Sequence, residues 1–80
     1  MPTVLRIEKY RFHFYSDEGN EPPYIHVEDD NGECKYWLKP SIILARNKGI
    51  KPADLTKIER LVYLNKEFLL EKYYEFHSKK

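Results

Sequence analysis

The chain has one cysteine, no run of apolar residues long enough for a membrane span, and no charge excess of either sign. The lone Cys34 has no partner for an internal disulfide, so a reducing compartment is the expectation. No hydrophobic stretch of signal-peptide length precedes the first polar residues, and a cytoplasmic location follows as an expectation. The most apolar segment, Ser41-Ile-Ile-Leu-Ala45, is strand-length, far short of the roughly 20 residues a spanning helix needs. Fourteen Lys and Arg against thirteen Asp and Glu give a net charge of +1, so any nucleic-acid reading must rest on local clustering. Repeats, low-complexity tracts and domain linkers are also absent, and 80 residues form a single domain, 1–80, with one core.

What the chain does have is bulk. Seven Tyr and four Phe allow a small domain to bury enough surface to offset its ordering entropy. Thr3-Val-Leu-Arg-Ile7 and Tyr10-Arg-Phe-His-Phe-Tyr15 read as two strands of a hairpin turning at Glu8-Lys9. Ser16 to Pro23 concentrates turn formers and forms the longest loop. Tyr24-Ile-His-Val-Glu28 and Glu33-Cys-Lys-Tyr-Trp-Leu38 flank an Asn31-Gly32 turn signal, which predicts a second hairpin. Ser41–Arg46 reads as a short fifth strand. Leu55, Ile58, Leu61, Val62, Leu64, Leu69, Tyr73 and Phe76 recur at three- and four-residue spacing, so about Ala53 to His77 is helical, with a break at Asn65. The fold class is α+β: an antiparallel sheet of four to five strands packed on one or two C-terminal helices.

Strand alternation places Leu5, Ile7, Phe12, Phe14, Ile25, Val27, Tyr36 and Leu38 on the face that the helices cover. Arg6, Arg11, His13, Tyr15, Tyr24, His26, Lys35 and Trp37 then share the other, open face. Cations interleaved with aromatic rings can neutralise phosphates and stack bases, which makes Arg11, Tyr15, Tyr24, Lys35 and Trp37 candidate RNA-binding residues. The plainer reading is a set of cross-strand neighbours covered by the Pro-rich loop or by a second subunit. His13 and His26 on that face are candidate catalytic residues, an acid and a base for a metal-independent ribonuclease with Arg11 stabilising the phosphate charge. Satisfied structural histidines are the competing reading. Glu28 or Asp29 are the nearest third ligands for a metal, but no recognised ligand spacing is present, so neither a metal nor a cofactor is expected. Cys34 falls on the core side and reads as a buried, inert thiol. Glu67, Glu71 and Glu75, extended by Lys79, form a stripe at four-residue spacing, read as solvated or as the face for a basic partner.

Met1-Pro-Thr-Val-Leu-Arg-Ile7, Tyr10-Arg-Phe12, Phe14-Tyr-Ser16 and Glu21-Pro-Pro-Tyr-Ile-His-Val27 closely resemble the bacterial domain-of-unknown-function family 4160, as do Trp37-Leu38, Pro40, Leu44-Ala45, Gly49 and Ile58-Glu-Arg-Leu-Val62. Members of that family usually carry Pro-Pro-His-Ile-His-Val, whereas here Tyr24 stands in the first histidine position, so only His26 maps onto the motif. The resemblance carries over no established biochemical activity and leaves open whether the protein is an enzyme. It implies a protein partner, a small protein encoded by a neighbouring gene in a toxin–antitoxin-like arrangement. The leading expectation is a toxin–antitoxin-like component that acts through this partner and binds RNA on the open face. The ribonuclease and a homodimeric interaction module are the alternatives.

Overall fold

The computed structural model describes residues 3–15 and 22–77. Ser16 to Glu21 of the loop expected over Ser16 to Pro23, the Met1-Pro2 start of the family-like motif, and Lys79 lie outside the described residues. β1 (Thr3–Ile7), β2 (Tyr10–His13), β3 (Tyr24–Glu28), β4 (Glu33–Trp37) and β5 (Ile43–Lys48) form one antiparallel sheet in the order β1-β2-β3-β4-β5, followed by α1 (Pro52–Leu64) and α2 (Lys66–His77). Each strand pairs with its sequence neighbours, as short connections favour. The expected α+β fold is the one observed.

Local chemistry sets the joints. Glu8, in the β1–β2 turn, takes a positive φ of 55°. The β3–β4 connection is a four-residue loop, wider than the two-residue turn that Asn31-Gly32 suggested. Its geometry comes from Asp29, whose Oδ1 accepts from the Asn31 and Gly32 amides at 2.8 and 3.1 Å. Gly32 and Gly49 meet where this loop touches the end of β5. A Cβ on Gly32 would lie 1.8 Å from the Lys48 carbonyl oxygen, and one on Gly49, at φ 93°, would lie 2.7 Å from the Asn31 carbonyl oxygen. Asn47 secures the same corner by bonding both the amide and the carbonyl of Ile50 at 3.0 Å. These contacts carry β5 two residues beyond the expected end at Arg46 and bring Lys48 opposite Glu33.

Pro52 opens α1, where a missing N–H costs nothing. Asn65 divides the helical segment as its sequence suggested: its side-chain amide donates to the Leu61 carbonyl at 2.8 Å, alongside its own backbone N–H at 3.0 Å, and its backbone leaves helical geometry at φ −108°, ψ 18°. Ile58 and Val62 of α1 and Leu69 and Tyr73 of α2 pack onto Tyr10, Phe12, Phe14, Ile25, Val27, Cys34, Tyr36 and Leu38. Each fully buried Phe, Ile, Leu or Val contributes about 1.5–3 kcal/mol. Polar ends on this face are satisfied: the Tyr10 hydroxyl donates to Asp54 at 2.6 Å and that of Tyr36 to the Leu55 carbonyl at 3.3 Å. Burial pushes the Cys34 thiol up to about 12, which makes it the inert side chain expected. Leu5 and Ile7 are only partly buried at this core's margin. Among the described residues no helix is long and apolar enough to cross a membrane.

Candidate functional site

Pairing registers His13 with His26, His26 with Lys35 and Lys35 with Arg46, so these four side chains form a row across the face opposite the helices. The next row pairs Arg11 with Glu28, Glu28 with Glu33 and Glu33 with Lys48. Alternation therefore delivers the face foreseen from the sequence. It does not deliver an open one.

His13 is 0% exposed, Tyr24 is equally buried, and His26 and Lys35 are buried as well. The His13 and His26 rings stack at 5.6 Å with an interplanar angle of 18°, and Tyr15 stands edge-on to both, at 5.2 and 4.4 Å. At their centre is a residue that the sequence reading passed over, Glu33. Its Oε2 accepts the Tyr15 hydroxyl at 2.8 Å and lies 3.2 Å from His26 Nδ1 and 3.3 Å from His13 Nε2. The His13 contact lacks hydrogen-bond alignment, and neither ring nitrogen of His13 has a hydrogen-bond partner among the described residues. Burial lowers the His13 pKa below its ordinary value, with the Glu33 carboxylate pulling the other way, so the imidazole is held neutral. Burial and the bond to Glu33 push the Tyr15 phenol up to about 12.

The remaining expected site residues are engaged within the fold. Arg11 pairs with Glu28 and donates to Thr3 Oγ1 at 3.0 Å, so its guanidinium is committed to neighbouring strands instead of facing a ligand alone. The Tyr24 hydroxyl donates to the Tyr15 carbonyl at 2.7 Å, and its ring spans from His26 at 5.2 Å to Tyr73 of α2 at 5.4 Å. Lys35 holds its ammonium 4.5 Å from the Trp37 ring centroid and 4.9 Å from that of Tyr24. Trp37 is partly buried and Arg6 exposed. The face expected to be open is therefore packed at Tyr24, whose buried ring lies between His26 and Tyr73, while the Tyr24 and Trp37 rings rest against Lys35.

What stays accessible is a cavity of about 210 Å³ lined by Tyr15, His26, Glu33, Cys34, Lys35, Arg46 and Lys48. It reaches His26 and leaves His13 behind, so a two-histidine mechanism on one phosphodiester lacks access for its second imidazole. Glu33 was legible by counting two residues back from Lys35. Arg46 closed the strand expected from the sequence but was not singled out, and Lys48 was legible only with β5 extended to its true end. Among the described residues no group of three His, Cys, Asp or Glu side chains is arranged to hold a metal ion.

A second surface differs in kind. All six residues of β5 are exposed, with Ile43 at 54% and Leu44 at 40%, whereas β1 at the other edge is half-buried along most of its length. Near the start of β5, Ser41, Ile42, Thr56, Glu59, Arg60, Tyr63 and Leu64 line a groove of about 500 Å³, and both Tyr63 and Leu64 are 71% exposed.

No curated protein and no solved structure matches the chain. A family model described as Domain of unknown function (DUF4160) matches residues 10–74, which contain β2 to β5, α1, most of α2 and every residue of the cavity; the chain belongs to that family.

Proposed function

We propose that this protein is an interaction component that receives an extended apolar segment of a second protein along the β5 edge and the adjoining α1 groove. The observation that carries this reading is the exposure of Ile43 and Leu44 on the sheet's edge strand, whose outer side meets no further strand among the described residues, beside exposed Tyr63 and Leu64. Sheet edges are normally blunted by charge or irregularity, because their free N–H and C=O groups template further pairing. The later half of β5 follows that rule with Arg46, Lys48 and a register shift between the partners of Lys35 and Tyr36. The earlier half, Ile43 and Leu44, has neither device. An added strand would pair with that half by main-chain bonds, while its apolar side chains fill the groove beside Ile42 and Tyr63.

The occupant is a small protein encoded by a neighbouring gene, and the pair works in the cytoplasm as a toxin–antitoxin-like module. Co-expression of the two chains tests this. One complex of the summed mass is expected on size-exclusion chromatography, dissociated by Leu44→Lys combined with Tyr63→Lys while the free protein keeps its melting temperature. Independent elution at micromolar concentration overturns the reading. A doubled mass for this chain alone replaces it with a homodimer.

A further inference from the structure

The docking edge carries charge as well as apolar surface, and the charge is of one sign. β5 reads Ile43-Leu-Ala-Arg-Asn-Lys48, with two cations, no acidic residue and every position exposed. Arg46 and Lys48 form no ion pair among the described residues, whereas Lys9, Arg11, Lys57 and Lys72 each face a carboxylate. The groove near the start of the strand is balanced, with both Glu59 and Arg60 in its lining. The edge is therefore apolar at Ile43 and Leu44 and basic at Arg46 and Lys48.

A bulge fixes which face each end uses. Lys35 pairs with Arg46 and Tyr36 with Leu44, so Ala45 has no partner on β4. Leu44 thereby lies on the helix side with Tyr36, whereas Ile43, Arg46 and Lys48 share the side of Trp37, Lys35 and Glu33. Without the extra residue Leu44 and Arg46, two positions apart, would fall on one face. A strand laid along β5 meets Arg46 and Lys48 as two separate cross-strand neighbours, each about 4.5–5.5 Å away between Cβ atoms. At such positions opposite charges attract and like charges repel.

Direction and length follow from the surroundings. Every pairing in the sheet is antiparallel, and antiparallel pairing is the more stable per residue, so the added strand runs against β5. Its earlier residues then lie opposite Lys48 and Arg46, and its later ones opposite Leu44 and Ile43. The acidic stretch is short, because Glu28, Asp29 and Asp30 line a pocket with Lys48 and repel a carboxylate placed beyond it. A second copy of this chain fits poorly: β5 laid on β5 gathers the cations of both copies with no carboxylate on either strand.

We infer that the partner segment is acidic before it is apolar: carboxylates two positions apart meet Lys48 and Arg46, and apolar residues follow over Leu44 and Ile43. This rests on the docking reading and gives its occupant a charge and a direction. Arg46 and Lys48 then act twice. They deter the indiscriminate pairing that an open edge invites, and they select a strand that brings the counter-charge. Under deterrence alone, neutralising them leaves partner binding unchanged or raises self-association; under selection, binding falls.

The test titrates the full chain with synthetic peptides of equal length. One has two glutamates at alternate positions followed by alternating valines, one has lysines in place of the glutamates, and one has the acidic and apolar halves exchanged. Amide NMR shifts along Ile43–Lys48 report docking. The glutamate peptide should saturate these shifts, binding about tenfold tighter than the lysine peptide and about threefold tighter than the exchanged one. Its preference over the lysine peptide should shrink severalfold at about 1 M salt, where the screening length is about 3 Å. Arg46→Ala combined with Lys48→Ala should abolish that preference, and because both side chains are exposed the melting temperature should hold. Should this variant melt early, Arg46→Gln with Lys48→Gln replaces it. Equal affinity for the glutamate and lysine peptides overturns the inference and leaves edge docking standing, since the Ile43 and Leu44 shifts remain. Undiminished binding of the glutamate peptide by a folded neutral variant, or a doubled mass in that variant alone, assigns the cations to deterrence and also overturns it. Equal or tighter binding of the exchanged peptide overturns the direction. No shift with any peptide overturns the inference together with strand addition at this edge.

Discussion

The two faces of this sheet are both buried at their centres, yet by opposite means. The helix side is covered by α1 and α2, and Tyr10 and Tyr36 there each end in a satisfied hydrogen bond. The other side buries two imidazoles around one carboxylate oxygen that they share with the Tyr15 hydroxyl, and a lysine against two aromatic rings. Apolar contact is roughly additive and indifferent to pH. A shared polar acceptor is cooperative and tied to protonation. The first face should therefore dominate stability and the second should make stability depend on conditions.

Truncating the helix side gives the largest expected effect. Phe12→Ala should cost about 3–5 kcal/mol in urea unfolding, since Phe12 is fully buried and the cavity it leaves is bounded by sheet and helices. A loss no greater than that of a polar-face substitution would erase the distinction between the faces.

Glu33→Gln comes next, at about 1–2 kcal/mol near neutral pH, because the Tyr15 hydroxyl keeps only a neutral acceptor. Its sharper signature is the pH profile. His13 is held below its ordinary value of 6.5, so the unfolded chain binds a proton that the folded chain resists. The neutral-His13 contribution is complete above about 6.5 and is lost as pH falls from there toward the folded value. Glu33 opposes that depression, so its removal should steepen the loss on acidification, by at most about 1.4 kcal/mol per pH unit for one proton. Parallel profiles for wild type and variant would show that Glu33 and His13 are not coupled.

The smallest effect is expected from Tyr24→Phe, about 1 kcal/mol, for the hydroxyl that donates to the Tyr15 carbonyl. His77 Nε2 stands 3.4 Å from the same carbonyl and can take over part of the bond. A cost of several kcal/mol would mark Tyr24 as the link on which Tyr15, and with it Glu33, depends.

Much of this was legible beforehand, for identifiable reasons. Period-two alternation in Tyr24–Glu28 and Glu33–Trp37 assigned His26 and Lys35 to one side, and three- and four-residue spacing assigned Ile58, Val62, Leu69 and Tyr73 to the core. Glu33 was missed because a lone glutamate at a strand start looks like a solvated residue. Its role exists only through cross-strand and diagonal neighbours 18 and 20 positions earlier in the chain, Tyr15 and His13. Lys48 was missed because β5 is prolonged past Arg46 by the Asn47 bridge to Ile50 and by the Gly32–Gly49 approach, the latter a contact between segments distant in sequence.

The sequence by itself determined the element types, their order, the break at Asn65 and the inequality of the sheet's faces, since each follows from local propensity and periodicity. Only the tertiary structure decided that the histidine face is closed at its centre, that Arg11 is spent on Glu28, and that Arg46 and Lys48 line the cavity that reaches His26. Burial and pairing are properties of neighbours in space. Alternation can say which way a side chain points, and packing alone can say what it meets there.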